Sequence, residues 1–328
     1  MKKRHWIAGA LGLMGGAVAV KLLLRPRDVK WDEHAHHLHH AEHSRFALLD
    51  DVWVHYQEVG AESAPVLLLI HGFTASNFVW SDVLWPIAES GFRVIAPDLI
   101  GFGFSGKPKD GEYTIESQAR MVRGLMDHLG IESATLVGSS YGGAVAATCA
   151  LDFESRVESL VLVDAVINDY VKNRRLLRLA ALPLIGDVAT PLMIGSRRLV
   201  YSQMRKGYAP ENIDLFDEHR MTAHHRPLLA ADTQRAALTT LRRWRAGRIE
   251  RDAHLIKQPT LLVWGEDDPE IPLAHGRLLF ELIENSRLVI FRRCGHMPME
   301  EYPREFTEVL TGFCANANEE ESFLGARA

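Results

Sequence analysis

Cysteine is scarce in this 328-residue chain, and positive charge does not dominate it. The three cysteines form no CxxC pair, so the sequence predicts neither a disulfide framework nor a zinc site. The formal net charge is -5 and no long basic arm occurs, which argues against a general nucleic-acid binder. The length and the 47% hydrophobic content suit one large globular domain with a sizeable core.

Long apolar runs are also rare, and the longest, residues 6–24, follows a basic stretch at residues 2–4. As a helix rising about 1.5 Å per residue, this run approaches the thickness of a bilayer core. We therefore expect residues 1–30 to be a membrane anchor or a signal segment. The first interpretation is a single-pass N-terminal anchor, with membrane association through residues 6–24. Small residues at 17–19 leave open a cleaved signal and a secreted or periplasmic protein.

Two polar segments flank the rest of the chain. Residues 31–43 form a His-rich linker, which we expect to be solvated. On a helix, His36, His40 and His43 would share one face at a spacing that can hold a transition metal, but no catalytic step calls for one there. Residues 316–328 are expected to form a C-terminal tail.

Between these segments, short apolar runs alternate with helical stretches. VLLLI (66–70) and ATLV (134–137) are continuous apolar runs, typical of strands that are buried on both faces of a parallel sheet. Two β-rich runs within residues 46–60 predict a hairpin that turns at Asp50 and Asp51. The repeated strand-helix-strand order predicts an α/β fold with a doubly wound sheet.

The alternation stops in one internal segment. Residues 166–256 lack strand-like runs and are rich in helical leucine and arginine. We expect this segment to be a helical cap, inserted between a first core part at residues 44–165 and a second at residues 257–315. The cap also contains aromatic residues and an apolar stretch. Their role is left open between packing on the core and contact with an apolar substrate.

The stretch that follows ATLV is the clearest chemical signal. Residues 138–142 read Gly-Ser-Ser-Tyr-Gly, which fits G-x-S-x-G between a strand and a helix. This turn strains the central serine, and small neighbours let the helix and the strand approach each other. Ser140 is therefore the candidate nucleophile, whereas Ser139 suits a turn hydroxyl.

A serine hydroxyl needs a base to take its proton, so a histidine and a carboxylate are expected downstream. The stretch VWGEDDPEIP sets several acids directly after the next-to-last predicted strand. His296 follows the last predicted strand, in RRCGHMPMEEYP. Both stretches should lie at the same sheet edge as Ser140.

With these motifs, residues 46–314 resemble the capped, serine-nucleophile, esterase- and epoxide-hydrolase-like branch of the α/β-hydrolase family. The resemblance implies an α/β-hydrolase fold: a mostly parallel, doubly wound eight-stranded sheet with an inserted helical cap. The family's G-x-x-D pattern makes Asp268 the acid that orients His296, leaving Asp267 and Asp164 as less favoured positions. Tyr141, at a helix N-terminus, is expected to supply one backbone N–H of an oxyanion hole. The resemblance assigns the second N–H to Phe73.

The residue type at the nucleophile position narrows the class of reaction. Relatives that open epoxides use aspartate at this position, whereas serine favours acyl transfer. We therefore expect a Ser-His-Asp serine hydrolase that cleaves small-molecule carboxylic esters of apolar acyl groups through an acyl-enzyme. Hydrolysis of a C–C, lactone or amide bond and perhydrolysis remain alternatives, as does a non-catalytic ligand-binding protein.

The remaining expectations concern ligands. Phe78 and Trp80, near the loop that contains Phe73, are candidate substrate contacts, although aromatic residues there are as often core. No cofactor, metal or nucleic-acid partner is expected, and the oligomeric state is left open.

Overall fold

The chain folds around one sheet, and the computed structural model describes residues 29–37, 40–173 and 175–325. Eight strands make up this sheet: β1 Ser44–Leu49, β2 Val52–Val59, β3 Val66–Ile70, β4 Arg93–Pro97, β5 Ala134–Ser139, β6 Val157–Val163, β7 Thr260–Gly265 and β8 Ser286–Phe291. Their order in space is β1-β2-β4-β3-β5-β6-β7-β8. The predicted eight-stranded doubly wound sheet is therefore confirmed.

The predicted hairpin forms one edge of this sheet. β1 and β2 pair antiparallel and are joined through Asp50 and Asp51, whose φ values are 44° and 63°. Such positive φ angles at both central residues are typical of a tight hairpin turn, and aspartate tolerates them. β2 also pairs antiparallel with β4, and every pairing from β4 through β8 is parallel.

Helices cover both faces of the sheet. They are α2 Ser81–Glu89, α3 Ile115–His128, α4 Tyr141–Asp152, α12 Leu273–Leu282, α13 Pro298–Glu301 and α14 Pro303–Gly325; α1 Trp31–His34 precedes the sheet. Successive strand residues point to opposite faces. Leu136 therefore packs in the cluster with α3 and α4, and Val137 packs in the cluster with α2 and α14.

Every regular element that the structure describes between β6 and β7 is a helix, and turns and loops such as residues 206–212 join these helices. The helices are α5 Tyr170–Asn173, α6 Arg175–Ala181, α7 Ile185–Gly195, α8 Arg197–Arg205, α9 Glu218–Leu228, α10 Thr233–Arg243 and α11 Gly247–Asp252. We call residues 166–256 the cap segment. Because β6 and β7 are neighbours in the sheet, the cap segment leaves and re-enters the core at adjacent strands.

The His-rich linker differs from the expected solvated segment. Trp31 in α1 lies 4.6 Å from the His55 ring and 5.4 Å from the Phe104 ring, measured between ring centroids. His34 is fully buried, and Arg226 in the cap segment donates to its Nδ1 over 3.2 Å. The start of the linker therefore packs against both the core and the cap segment.

The membrane prediction requires a correction. Within the part of the chain that the structure describes, no helix is both long enough and apolar enough to cross a bilayer. The interpretation as a single-pass membrane protein is corrected accordingly and is not carried further. Residues 6–24, on which that interpretation depended, lie outside the described residues. The same holds for residues 17–19, on which the signal-cleavage alternative depended.

Candidate active site

Ser140 stands on the sharp turn between β5 and α4. Its φ of 55° and ψ of -118° are rare for a residue with a side chain, and such strain is typical of functional turns. The turn is tight: a Cβ on Gly138 would come within 2.3 Å of the Gly142 carbonyl oxygen. A Cβ on Gly142 would in turn come within 2.2 Å of the Ile70 carbonyl oxygen. Both glycines of the motif are therefore required by close backbone contacts.

His296 and Asp268, the expected base and acid, come together at the ends of β7 and β8. The His296 Nδ1 atom lies 2.7 Å from Asp268 Oδ2. The other Asp268 oxygen accepts backbone N–H groups of Glu270 and Ile271 at 2.6 and 3.1 Å. Asp267 is exposed, whereas the Asp268 side chain is fully buried. Of the two neighbouring acids, it is Asp268 that contacts the imidazole.

The surroundings of His296 favour its protonated form. Burial by itself would lower the pKa of this imidazole. The attraction and hydrogen bond of Asp268, followed by the charge of Glu270, outweigh burial and raise the pKa to about 10. Glu270 Oε2 lies 3.9 Å from His296 Nε2, so it faces the nitrogen that a triad would direct at its serine.

The expected oxyanion loop lies against Ser140, the candidate nucleophile. A Cβ on Gly72 would lie 3.1 Å from Ser140 Cβ and 3.6 Å from Ser140 Oγ, so the segment before Phe73 touches this serine. Tyr141 begins α4, and the first N–H groups of a helix have no partner within it. The two backbone groups expected as donors therefore belong to segments that meet Ser140.

A buried polar cluster holds this loop. His71 accepts the Leu99 N–H at its Nε2 over 2.9 Å, and its Nδ1 lies 2.8 Å from the Gly72 carbonyl oxygen. Asp98 lies 2.7 Å from His55 Nδ1 and accepts the Asn77 N–H. Burial would raise the pKa of Asp98, but His55 and the hydrogen bonds lower it. His71 therefore holds the segment before Phe73 through these two contacts.

Aromatic side chains pack beside Ser140, but they are not the pair expected from the sequence. The Phe73 ring lies 5.5 Å from Trp244 and 5.7 Å from Phe102, and Trp244 lies 5.0 Å from Tyr141, between ring centroids. This aromatic group joins the oxyanion loop to the cap segment.

Phe78 and Trp80, the expected substrate contacts, pack elsewhere. Phe78 meets the ring of His224 at 4.9 Å, and Trp80 packs near Phe306 in the layer of α2 and α14. The structure therefore brings neither of them into the aromatic group of Phe73, Phe102, Tyr141 and Trp244. Their role as substrate contacts stays a prediction without a contact to support it.

The loop that carries His296 is bonded to the cap segment. The His296 backbone N–H donates to the Gly207 carbonyl oxygen over 2.6 Å. Glu301 accepts the backbone N–H of Ala209 at 3.0 Å and the Asn212 side chain at 2.9 Å, and its other oxygen accepts the Gly295 N–H. The backbone of this loop is therefore fixed by the cap segment, and the imidazole by Asp268.

Glu300 adds charged contacts between the same loop and the cap segment. Its carboxylate is 1% exposed, accepts the Tyr208 hydroxyl, and lies 3.2 Å from Arg220 and 3.1 Å from His224. Arg220 also pairs with Asp82 of α2 at 2.5 Å. Burial would raise the pKa of Glu300, but His224, Arg220 and the Tyr208 hydroxyl lower it.

Sequence reasoning missed the roles of Trp244, Glu270 and Glu300. Trp244 is one of several aromatic residues in the cap segment, and nothing in a single sequence says which of them meets the loop of Phe73. Glu270 and Glu300 lie two and four residues from Asp268 and His296 in the chain. Proximity to a predicted site residue was the one signal that pointed to them.

Comparisons with known proteins agree with this fold. A family model described as "alpha/beta hydrolase fold" matches residues 65–185. The 2-hydroxy-6-oxo-2,4-heptadienoate hydrolase of Pseudomonas putida F1 is 30% identical over 84% of this chain and 97% of that protein.

Two solved structures are also similar. A mutant meta-cleavage product hydrolase from Pseudomonas fluorescens IP01, complexed with acetates, superposes with a TM-score of 0.71. It is 25% identical over 83% of this chain and 98% of its own. A membrane phospholipase A described as a bacterial virulence factor has a TM-score of 0.69 and 25% identity, over 97% of this chain and 99% of its own.

Proposed function

Since the chain belongs to the α/β-hydrolase family, we propose that it is a serine hydrolase with Ser140 as nucleophile, His296 as base and Asp268 as the acid that orients His296. The observation that carries the proposal is the 2.7 Å contact between His296 and Asp268, at the sheet edge where Ser140 occupies a strained turn. Nucleophile, acid and base also follow one another in the order usual for this family.

The first step is attack on a carbonyl carbon. His296 Nε2 takes the hydroxyl proton of Ser140 as Oγ bonds to that carbon, and Asp268 stabilises the imidazolium. The negative oxygen of the tetrahedral intermediate accepts hydrogen bonds from the backbone N–H groups of Tyr141 and Phe73. These donors need no reorganisation, because both belong to ordered segments beside Ser140.

The bond broken is, in our proposal, the C–C bond beside a ketone in an unsaturated 2-hydroxy-6-oxo acid. The 30% identical hydrolase of Pseudomonas putida is named for such a compound, and the chain covers 97% of its length. The 2-hydroxy-dienoate first tautomerises to its 2-oxo form, in which the enol proton has moved to C5. When the C5–C6 bond then breaks, its electron pair enters the conjugated 2-oxo-3-ene as a dienolate, which takes a proton from the His296 imidazolium. Water, activated by His296, then releases the acyl group from Ser140 as a carboxylic acid.

Carboxylic ester hydrolysis is the second candidate. The membrane phospholipase A covers 97% of this chain, and the aromatic group of Phe73, Phe102 and Trp244 offers an apolar surface for an acyl chain. The chemistry differs only in the leaving group, because an alkoxide rather than an enolate takes the proton from His296. Lactone, amide and perhydrolase reactions have no separate observation in their favour.

One set of assays separates the two candidates. Purified full-length protein is given a 2-hydroxy-6-oxo-dienoate, whose conjugated chromophore is lost on cleavage, and a series of p-nitrophenyl esters. We expect a higher kcat/KM for the dienoate; a higher value for the esters would favour the second candidate. Ser140→Ala should abolish both activities and labelling by a fluorophosphonate, whereas the matched control Ser139→Ala should remain labelled. Turnover that persists in Ser140→Ala would refute the triad.

A further inference from the structure

Asp164 follows β6 and has no role in the steps described above. Its side chain is fully buried, and its φ is 43°, an unfavourable value for a residue that is not glycine. Oδ1 accepts the Gly265 N–H at 2.9 Å, while Oδ2 is buried and has no donor as partner. An unpaired buried oxygen is costly, so this side chain requires an explanation.

The explanation lies in its neighbours. One side-chain nitrogen or oxygen atom from each of Asp164, Asp268 and His296 lies within 4.8 Å of the others. The two carboxyl groups are therefore close neighbours in a buried site, and Asp164 Oδ2 has no other partner there. Ionised carboxylates only accept hydrogen bonds, so a bond between these two groups requires a proton on one of them. Two buried carboxylates at this separation do not both ionise, because like charges repel strongly there.

The hydrogen bonds decide which group carries the proton. Asp268 accepts two backbone N–H groups and the His296 imidazole, three donors that all stabilise a negative charge. Asp164 accepts only the Gly265 N–H. The charge therefore resides on Asp268, and the proton on Asp164.

We propose that Asp164 is a neutral carboxylic acid that donates a hydrogen bond to Asp268 and so acts as a positioning residue for His296. The inference rests on the proposed function, in which His296 is the base. Asp164 thereby fixes the Asp268 carboxylate in addition to the backbone N–H groups of Glu270 and Ile271. Burial and the charge of Asp268 raise the pKa of Asp164 well above the usual range, against smaller opposing effects of His296 and the Gly265 N–H.

A neutral Asp164 also sets the basicity of His296. An ionised Asp164 would be one of the charges that raise the pKa of the imidazole, after Asp268 and Glu270. With its proton in place, Asp164 adds no charge, and His296 releases its own proton at lower pH. Two further titratable groups lie near this pair. Burial lowers the pKa of His275, against the charges of Glu250 and Asp268. The pKa of the buried Cys294 thiol is raised by burial and by the charge of Glu301. The thiol is therefore neutral too.

The test compares substitutions that keep or remove the donated bond. Asp164→Asn keeps a donor toward Asp268 and an acceptor for Gly265, whereas Asp164→Ala loses both. Full-length protein is assayed for the pH dependence of kcat/KM, and the His296 imidazole is titrated by NMR. We expect Asp164→Asn to leave unchanged the pH at which kcat/KM reaches half its maximum on the acid side of the profile. Asp164→Ala should lower kcat by roughly tenfold, because the hydrogen bond to Asp268 is lost. Were Asp164 ionised, the Asn variant would move both midpoints to lower pH, and the proposal would fail.

Infrared spectroscopy gives a readout that does not depend on turnover. The unsubstituted protein should show the C=O stretching band of a buried carboxylic acid at neutral pH, and Asp164→Asn should lack it. The exposed-site control Asp127→Asn should retain the band. Absence of the band in the unsubstituted protein would overturn the proposal even if the Asn variant did not fold. Failure of the triad would appear separately, as activity and labelling retained in Ser140→Ala.

Discussion

His296 and Gly207 are joined by a 2.6 Å backbone hydrogen bond, although 89 positions separate them in the chain. The residue proposed as the base is therefore held from two directions: Asp268 binds the imidazole, and the cap segment binds the backbone. Changes at this contact should affect turnover without altering any group that reacts.

Gly295→Ala tests the contact by crowding it. A Cβ at this position would come within 2.1 Å of the Gly207 carbonyl oxygen and 2.8 Å of the Ala209 nitrogen, both backbone atoms that have no rotamer to change. We expect kcat to fall by about tenfold or more, because a displacement of about 1 Å at a catalytic group can cost a hundredfold. Steady-state kinetics check this. Gly312→Ala is the control: its Cβ meets no atom within 4 Å, and alanine favours the helix, so thermal stability should rise slightly.

Glu300→Gln tests the charged connection between core and cap segment. Removing the carboxylate charge leaves Arg220 and His224 without their buried partner, so the free energy of unfolding should fall by about 3 kcal/mol. Urea unfolding measures the change. In Glu305→Gln, the substitution affects only an exposed pair with Arg304, and stability should not change. Equal stabilities of the two variants would show that the Glu300 cluster contributes nothing.

The same cluster makes stability depend on pH. The pKa of Glu300 lies below its ordinary value of 4.5 in the folded protein, so its contribution is complete above that value and is lost as the pH falls through the folded pKa. We expect the stability difference between the unsubstituted protein and Glu300→Gln to be greatest near neutral pH and to shrink below about pH 4.5. A difference independent of pH would show that the carboxylate charge is not what stabilises this contact.

The pH dependence of turnover should be set by His296. A general base must be unprotonated, so kcat/KM should rise with pH, with an acid limb between the ordinary 6.5 and about 10. Asp268→Asn removes the main attraction that raises this pKa, so the limb should move to lower pH. The plateau should nevertheless fall by about a thousandfold or more. If the acid limb of Asp268→Asn moved to higher pH, that result would contradict the contact assigned between Asp268 and His296.

The start of the linker should contribute to stability. Trp31→Ala removes contacts with His55 and Phe104, and we expect a loss of about 2 kcal/mol in unfolding free energy. The control Trp53→Ala changes a side chain that is 54% exposed and should cost much less. Likewise, protein that starts at residue 44 should melt below protein that starts at residue 29. Identical melting temperatures would mean that these ring contacts add nothing.

The fold was predictable because its signals are local. Continuous apolar runs such as VLLLI and ATLV require burial on both faces, and the glycines around Ser140 are required by backbone contacts within a few residues of it or in the next strand. His296 and Asp268 were predictable from their place after two neighbouring parallel strands, since the carboxyl ends of such strands share one edge.

The contacts of the cap segment were not predictable. Glu300 meets Tyr208, Arg220 and His224 only because of the path that the chain takes between β6 and β7, and no periodicity encodes that path. The packing of Trp80 was not predictable for a related reason: nearness in sequence to the loop of Phe73 does not say which helices a side chain packs against. Trp80 is buried with Phe306 because α14 packs in the same apolar cluster as α2.

The bonds that join Gly207, Ala209 and Asn212 to the loop of His296 also bear on protein engineering. Exchanging the whole cap segment for that of a relative would leave Glu300 and Glu301 buried without the groups that now pair with them. A graft that replaces only α5 to α8 keeps these pairs, because its last residue, Arg205, precedes Gly207. Substrate range could then be altered through the first half of the cap segment, while the second half is inherited with the loop of His296 as one unit.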